Sequence, residues 1–296
     1  MKAHREIYLK SRAVAFLCAA LVGTGVLLLP GKGMAQNFPL SDGGSAATLN
    51  LGAGSGGTGS IGMNSWTVGG VSQSQLDQQW FWYSINGSAP LSIDQLGELS
   101  TSYNGPNNLT VTYGAANGVQ VNVDYVLHGN GANSGSADMM EYIWIDNYSD
   151  QIVDLNFYQY SNFNLLQNNN NTVSISGNPG AYTSAFQTTG GPGGTGIAEV
   201  IESPNANYAE AALVPTTLNE LNNPASLNFN LSDNTSAVTG DVSWAFQWDA
   251  TLNPGDEEDI SKDKGLKVMT VPEPTTMALI ALGLGALGLA RSRQTS

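Results

Sequence analysis

Basic residues are missing from most of this 296-residue chain. No Lys or Arg occurs from Gly33 to Ser261, and His128 is the only histidine there, whereas Asp and Glu recur throughout. Such a body cannot neutralise phosphates, which excludes nucleic acid as a partner. Phosphoryl transfer is disfavoured for the same reason, since no cation is available to steady the moving charge. Internal salt bridges are expected to be few, leaving stability to the core and the backbone ladder. Cysteine is almost absent as well. Cys18 stands alone, inside the N-terminal apolar run, so the rest of the chain has neither a disulfide nor a cysteine metal site. Histidine is too scarce for a zinc site, and no Asp-x-Asp-x-Asp-Gly calcium loop occurs. Neither a metal nor another cofactor is expected. Long apolar runs are confined to the two ends.

Those ends carry the positive charge. Lys2, Arg5, Lys10 and Arg12 precede an apolar run over residues 13–29, which Pro30-Gly31 breaks. Gly33 and Ala35 then place small side chains at the −3 and −1 positions before Gln36, so residues 1–35 are expected to be a signal peptide cut by signal peptidase between Ala35 and Gln36. At the other end, Pro272-Glu273-Pro274 is followed by an apolar stretch over 277–290 and then by Arg291 and Arg293. As a helix this stretch is about 21 Å long at ~1.5 Å per residue. A comfortable span needs about 20 residues, so the tail is expected to be a transient transmembrane helix in the inner membrane. The two arginines would hold its end on the cytoplasmic side.

Residues 271–296 closely resemble the PEP-CTERM sorting signal of exported bacterial proteins, on Pro272-Glu273-Pro274, the apolar tail and the basic end. The resemblance implies recognition by an exosortase, a membrane-embedded sorting enzyme. It further implies removal of the tail and delivery to the cell surface, the outer membrane or an extracellular polysaccharide matrix.

The middle of the chain is rich in Asn, Gly, Ser and Thr, with aromatic residues spread along it. Residues 36–62 are expected to be a Gly/Ser-rich, partly flexible lead-in, and 63–270 an acidic all-β domain. Val119, Val121, Val123 and Tyr125 alternate with polar residues, the period of a half-buried strand. With a strand over 109–113 and a turn at Asn117-Gly118, this makes a hairpin. Further strands are expected over 79–85, 139–147, 152–160, 172–176, 182–188, 197–202, 227–231 and 242–249, with one helical turn over 217–222. The pairing of Asp256–Asp259 is open, because acids interrupt the apolar pattern there. Many short strands with Gly/Asn/Pro turns imply an antiparallel β-sandwich, jelly-roll-like. The ending Trp244-Ala245-Phe246-Gln247-Trp248-Asp249, with residues 252–255 and 260–264, is similar to the last strands of β-rich PEP-CTERM surface proteins.

No motif in the body carries chemistry. His128 has no Gly-x-Ser-x-Gly partner and sits at a strand end, as a solvated residue. Asp138, Glu141 and Asp146 are near enough in sequence to suggest a carboxylate pair, as glycoside hydrolysis requires, but any chain so acidic yields such pairs. Trp80, Trp82 and Tyr83 put rings on both faces of one strand, so one face is either exposed or covered by another layer. Rings stack on sugar C–H faces while Asn and Asp bond hydroxyls. Trp80, Trp82, Tyr158 and Tyr160 are thus candidate glycan contacts, or else fill the core of a broad sandwich. The main expectation is a non-catalytic surface or matrix protein with a structural or adhesive role in a biofilm, with exopolysaccharide as partner. A carbohydrate-binding module is the alternative, and a glycoside-active enzyme a more distant one.

Overall fold

A computed structural model of the protein describes residues 37–52, 61–114, 118–190 and 194–269. Among them nearly every regular element is a strand, and the strands make two antiparallel sheets packed as a sandwich. The eight-stranded sheet runs β1 (Asn37–Asp42), β2 (Ser45–Asn50), β3 (Gly62–Thr67), β4 (Leu76–Ile85), β10 (Val153–Phe163), β16 (Val242–Leu252), β14 (Tyr208–Leu213), with β5 (Leu91–Ser92) paired to β4. The nine-stranded sheet runs β15 (Val238–Gly240), β11 (Asn171–Asn178), β12 (Ala181–Thr188), β13 (Gly196–Ser203), β17 (Glu257–Lys267), β9 (Ser136–Asn147), β8 (Val119–Gly129), β7 (Asn108–Tyr113), β6 (Glu98–Tyr103). The expected all-β sandwich is therefore observed.

Alternation sets which side of each strand is buried. In β8, Val119, Val121, Val123, Tyr125 and Leu127 are buried. Gly118 takes φ +78° at the β7–β8 turn and lets Thr112 pair with Asn122. Between the sheets, Phe81 stacks on Phe157 (5.5 Å between centroids) and reaches Tyr125 of the facing sheet at 6.5 Å. Phe163 lies nearly parallel to Trp244 at 5.4 Å. Each such ring contributes about 1.5–3 kcal/mol through burial.

The structure bears on three points of the sequence reading, one of which it corrects. The lead-in is not a loose segment throughout: Asn37–Asp42 and Ser45–Asn50 form a hairpin in full register, closed by Gly43-Gly44 at φ +51° and +84°. Glycine content there marked a tight turn, while Phe38, Leu40, Ala47 and Leu49 supplied a buried face. Residues 227–231 form no strand; they follow the six-residue helix Thr216–Leu221 as irregular chain. The acidic stretch opens β17, which pairs with β9 along its whole length from Glu257↔Asp146 to Lys267↔Ser136. Its carboxylates fall largely on the side away from the core, so they do not oppose pairing.

The described residues include no helix long and apolar enough to cross a membrane. The expected signal peptide, with its expected cleavage pair Ala35 and Gln36, and the sorting tail lie outside the described residues.

Candidate functional site

The candidate glycan contacts drawn from sequence are not on the surface. Trp80, Trp82, Tyr158 and Tyr160 are all 0% exposed. Trp82 and Tyr158 oppose one another across β4 and β10 on the outer side of the eight-stranded sheet, and residues 216–231 cover that side. The Trp82 indole N–H donates to Asn222 Oδ1 (3.1 Å), and the Tyr158 hydroxyl donates to the Phe229 carbonyl (2.7 Å). Trp80 donates to Ser92 Oγ (2.7 Å). Trp82 and Tyr158 thus lie beneath a third layer, whereas Trp80 packs edge-on against Tyr113 of β7 at 6.0 Å between centroids. Burial pushes the Tyr160 hydroxyl up to about 12.

Two neighbouring, partly exposed rings lie on the outer side of the nine-stranded sheet. On β9, Ala137, Met139, Glu141, Ile143 and Ile145 point inward, leaving Asp138, Met140, Tyr142, Trp144 and Asp146 on the outer side. Tyr142 and Trp144 are partly exposed, with rings 6.4 Å apart and only 21° from parallel. Register places Asp124 and Ser261 on either flank of Tyr142, and Asn122 and Asp259 on either flank of Trp144. Beyond them Thr110 and Thr112 continue the rows onto β7. Side-chain bonds hold this lattice: Asn108 Nδ2 and the Thr110 hydroxyl donate to Asp124 Oδ1 (2.7 and 2.9 Å). The Thr112 hydroxyl donates to Asn122 Oδ1 (2.8 Å), and Asn122 Nδ2 donates to Asp146 Oδ2 (3.1 Å).

The face is electronegative. Burial pushes the Tyr142 hydroxyl up, and Glu202, Asp124 and Asp263 add to the effect, so the phenol stays a neutral donor. Burial also raises the Asp263 carboxyl, helped by Asp138 and Glu202. Ordered amides, hydroxyls and carboxylates around two near-parallel rings can bond hydroxyl groups while the rings cover C–H faces. Sequence reasoning placed a strand over 139–147 but did not single out Tyr142 and Trp144. Their two-residue spacing was the available signal; which side of β9 faced inward was not.

The other candidates disperse. Glu141 points into the core, whereas Asp138 and Asp146 lie on the outer side, so the three do not converge. His128 is 63% exposed beside Asp42 at 3.5 Å. Among the described residues no group of three His, Cys, Asp or Glu is placed to hold a metal. A cleft of about 610 Å³ lies at the ends of β4 and β10, lined by Tyr83, Asn86, Ser88, Leu91, Asp150 and Ile152 among others. Its one ring, Tyr83, is 5% exposed, and its accessible apolar surface comes from Leu91, Ile152 and the partly exposed Ile85. That lining offers no exposed ring to stack on the face of a sugar.

The family model of the PEP-CTERM protein-sorting motif matches residues 270–294, which contain Pro272, Glu273, Pro274, Arg291 and Arg293. The chain thus carries the sorting motif of exported proteins processed at the membrane by an exosortase. No curated protein matches the chain. Similar solved structures include a bacterial glucoamylase in complex with acarbose (10% identity, TM-score 0.49), matched over 85% of this chain and 36% of that one. Others are a putative aldose 1-epimerase from Escherichia coli K12 (10% identity, TM-score 0.47; 80% and 100% covered) and a galactose mutarotase-like protein from Lactobacillus casei ATCC 334 (9%, 0.47; 78% and 100%). The chain spans about a third of the glucoamylase's length. At such identity the likeness is one of fold alone.

It nevertheless corrects the main functional expectation. A β-sandwich that also occurs in sugar-acting enzymes is no ground for a structural, non-catalytic role, and neither that role nor the exclusion of enzymatic activity stands.

Proposed function

We propose that this chain is an exported saccharide-binding protein of the cell surface or extracellular matrix. Its signal peptide is removed by signal peptidase, and its ligand lies across the outer side of the nine-stranded sheet. The observation that carries this reading is the partly exposed Tyr142–Trp144 pair, flanked in register by Asp124, Asn122, Asp259 and Ser261. Charge narrows the ligand class. The chain's formal net charge is −14, and the body has three lysines, of which Lys262 and Lys264 are buried. An acidic polysaccharide would be repelled at this face, so a neutral one is the partner the chemistry favours.

Affinity electrophoresis of the folded chain through gels containing dextran, galactomannan or alginate tests this. Retardation is expected with a neutral polymer and none with alginate. Trp144→Ala and Tyr142→Ala should each weaken retardation about tenfold, equivalent to ~1.4 kcal/mol, without shifting the melting temperature by more than a few degrees. Absence of retardation by either neutral polymer, or full retention by Trp144→Ala, would reject the proposal.

A further inference from the structure

The nine-stranded sheet carries charge where alternation calls for apolar residues. Glu199 of β13, Lys262 and Lys264 of β17, and Glu141 of β9 all point between the sheets and are all fully buried. Two of the three lysines in the body are thus spent in the core, contrary to the expectation that stability would rest on apolar packing and the ladder alone. Lys262 is directly opposite Glu141, and Lys264 directly opposite Glu199. Lys262 Nζ is in direct contact with Glu141 Oε2, and Lys264 Nζ reaches the same oxygen at 2.6 Å. Glu199 Oε1 stands 3.5 Å from Lys262 Nζ and 3.3 Å from Lys264 Nζ. Its other oxygen is fixed by the Trp244 indole N–H (2.7 Å) and Gln159 Nε2 (2.9 Å) from the facing sheet. Phe81 covers Lys262, its ring centroid 4.7 Å from Nζ.

We infer that Lys262 and Glu141 condense to form an intramolecular amide that joins β17 to β9 covalently. Each part of the site has a role in that reaction. Proton transfer from Lys262 to the Glu141 oxygen that its Nζ touches gives the free amine and neutral carboxyl that react. Burial lowers Lys262 to about 8, and the Lys264 charge adds to this, opposed by Glu141 and Glu199. The amine lone pair adds to Glu141 Cδ, forming the Nζ–Cδ bond. The Lys264 ammonium, on Glu141 Oε2, stabilises the negative oxygen of the tetrahedral adduct. Glu199 Oε1 takes the surplus proton from Nζ and returns it to the departing hydroxyl. The C–O bond then breaks and one water leaves, with no change of oxidation state and no co-reactant. Lys264 and Glu199 remain as a neutral ion pair.

The placement of the bond gives it a use. β17 is the last strand before the sorting motif at 270–294. Any load on an attached C-terminus would reach this strand first, in a chain whose body has no cysteine to lock it. The amide would close a loop with a sequence separation of 121 residues.

The test is peptide mapping of the protein recovered from exporting cells and digested after denaturation. The expected product is a branched peptide containing Lys262 and Glu141, one water lighter than its two arms together. The intact linked chain should also migrate faster in a denaturing gel than Lys262→Arg, in which no amide can form. Glu199→Gln should leave most chains unlinked. Recovery of the Lys262 and Glu141 peptides as separate species from folded wild-type protein overturns the inference, with no need for any variant to fold. So does a water loss that maps to Lys264, or to any other residue.

Discussion

Removing one charge from the buried quartet should cost more than removing two. Two lysines face two glutamates in a site that solvent does not reach. Glu199→Gln is nearly isosteric, and the Gln carbonyl oxygen can still accept from both Trp244 and Gln159. With Lys262→Arg in every background, so that no amide forms in any of the proteins compared, the change isolates charge, leaving an excess positive charge in the core. Lys264→Met leaves an excess negative one. Breaking a buried pair from one side costs about 3–5 kcal/mol, a large share of the roughly 5–15 kcal/mol that holds a domain together. Independent effects would sum to about 6–10 kcal/mol, enough to unfold the protein. The double variant restores neutrality and should lose only about 1–3 kcal/mol, the scale of the hydrogen bonds removed. Urea unfolding followed by tryptophan fluorescence measures all four proteins, and Trp244 itself reports on the site. Should the single variants not fold, recovery of a folded double variant makes the same point. A double variant whose loss equals the sum of the two singles would refute the idea that this site is governed by its net charge.

Phe157→Ala should cost about 3–5 kcal/mol in the same assay, because the ring packs against both Phe81 and Trp248. Trp82→Phe removes the bond to Asn222 and should cost about 1 kcal/mol, while making residues 216–231 cleavable earlier in limited proteolysis. Gly62→Ala should destabilise by about 1–3 kcal/mol, since Gly62 sits at φ +90° and an added Cβ would come within 2.2 Å of the Gln79 carbonyl oxygen. Alkaline pH should unfold the protein. Burial holds the Tyr113 and Tyr125 hydroxyls well above the ordinary value of 10.0, so above that pH the unfolded chain gives up these protons first. Stability is then complete below pH 10 and falls as pH rises beyond it; tyrosinate absorbance should appear together with loss of structure, and its appearance in a still-folded protein would contradict the burial argument.

What the sequence made legible was period, and what it concealed was which side of a strand faces inward. Alternation in β8 and β16 was enough to place their apolar residues correctly, because one side of each strand is plainly richer in apolar groups. In β4 both sides are aromatic, and local pattern cannot distinguish an exposed side from one covered by a distant segment. The cover comes from residues 216–231, more than a hundred positions from β4, so the sequence left open whether Trp82 and Tyr158 were exposed, and the structure places them beneath a third layer. β9 posed the opposite problem. Its inward row contains Glu141 and its outward row contains Trp144, so hydrophobicity taken residue by residue gives a weak answer, and only the neighbouring strands decide it. The same holds for β17, where Lys262 and Lys264 occupy the buried row between Ile260 and Leu266. Read singly, these lysines suggest a solvated edge; read with Glu199 and Glu141 opposite them, they suggest a matched pair of pairs. Sequence reasoning missed the quartet because its members come from three strands that are neighbours only after folding. The sites that escaped it are therefore the ones where a strand departs from its own pattern. A polar residue in a buried row needs a partner that sequence spacing alone does not identify, and for Lys262 that partner is Glu141, 121 positions away.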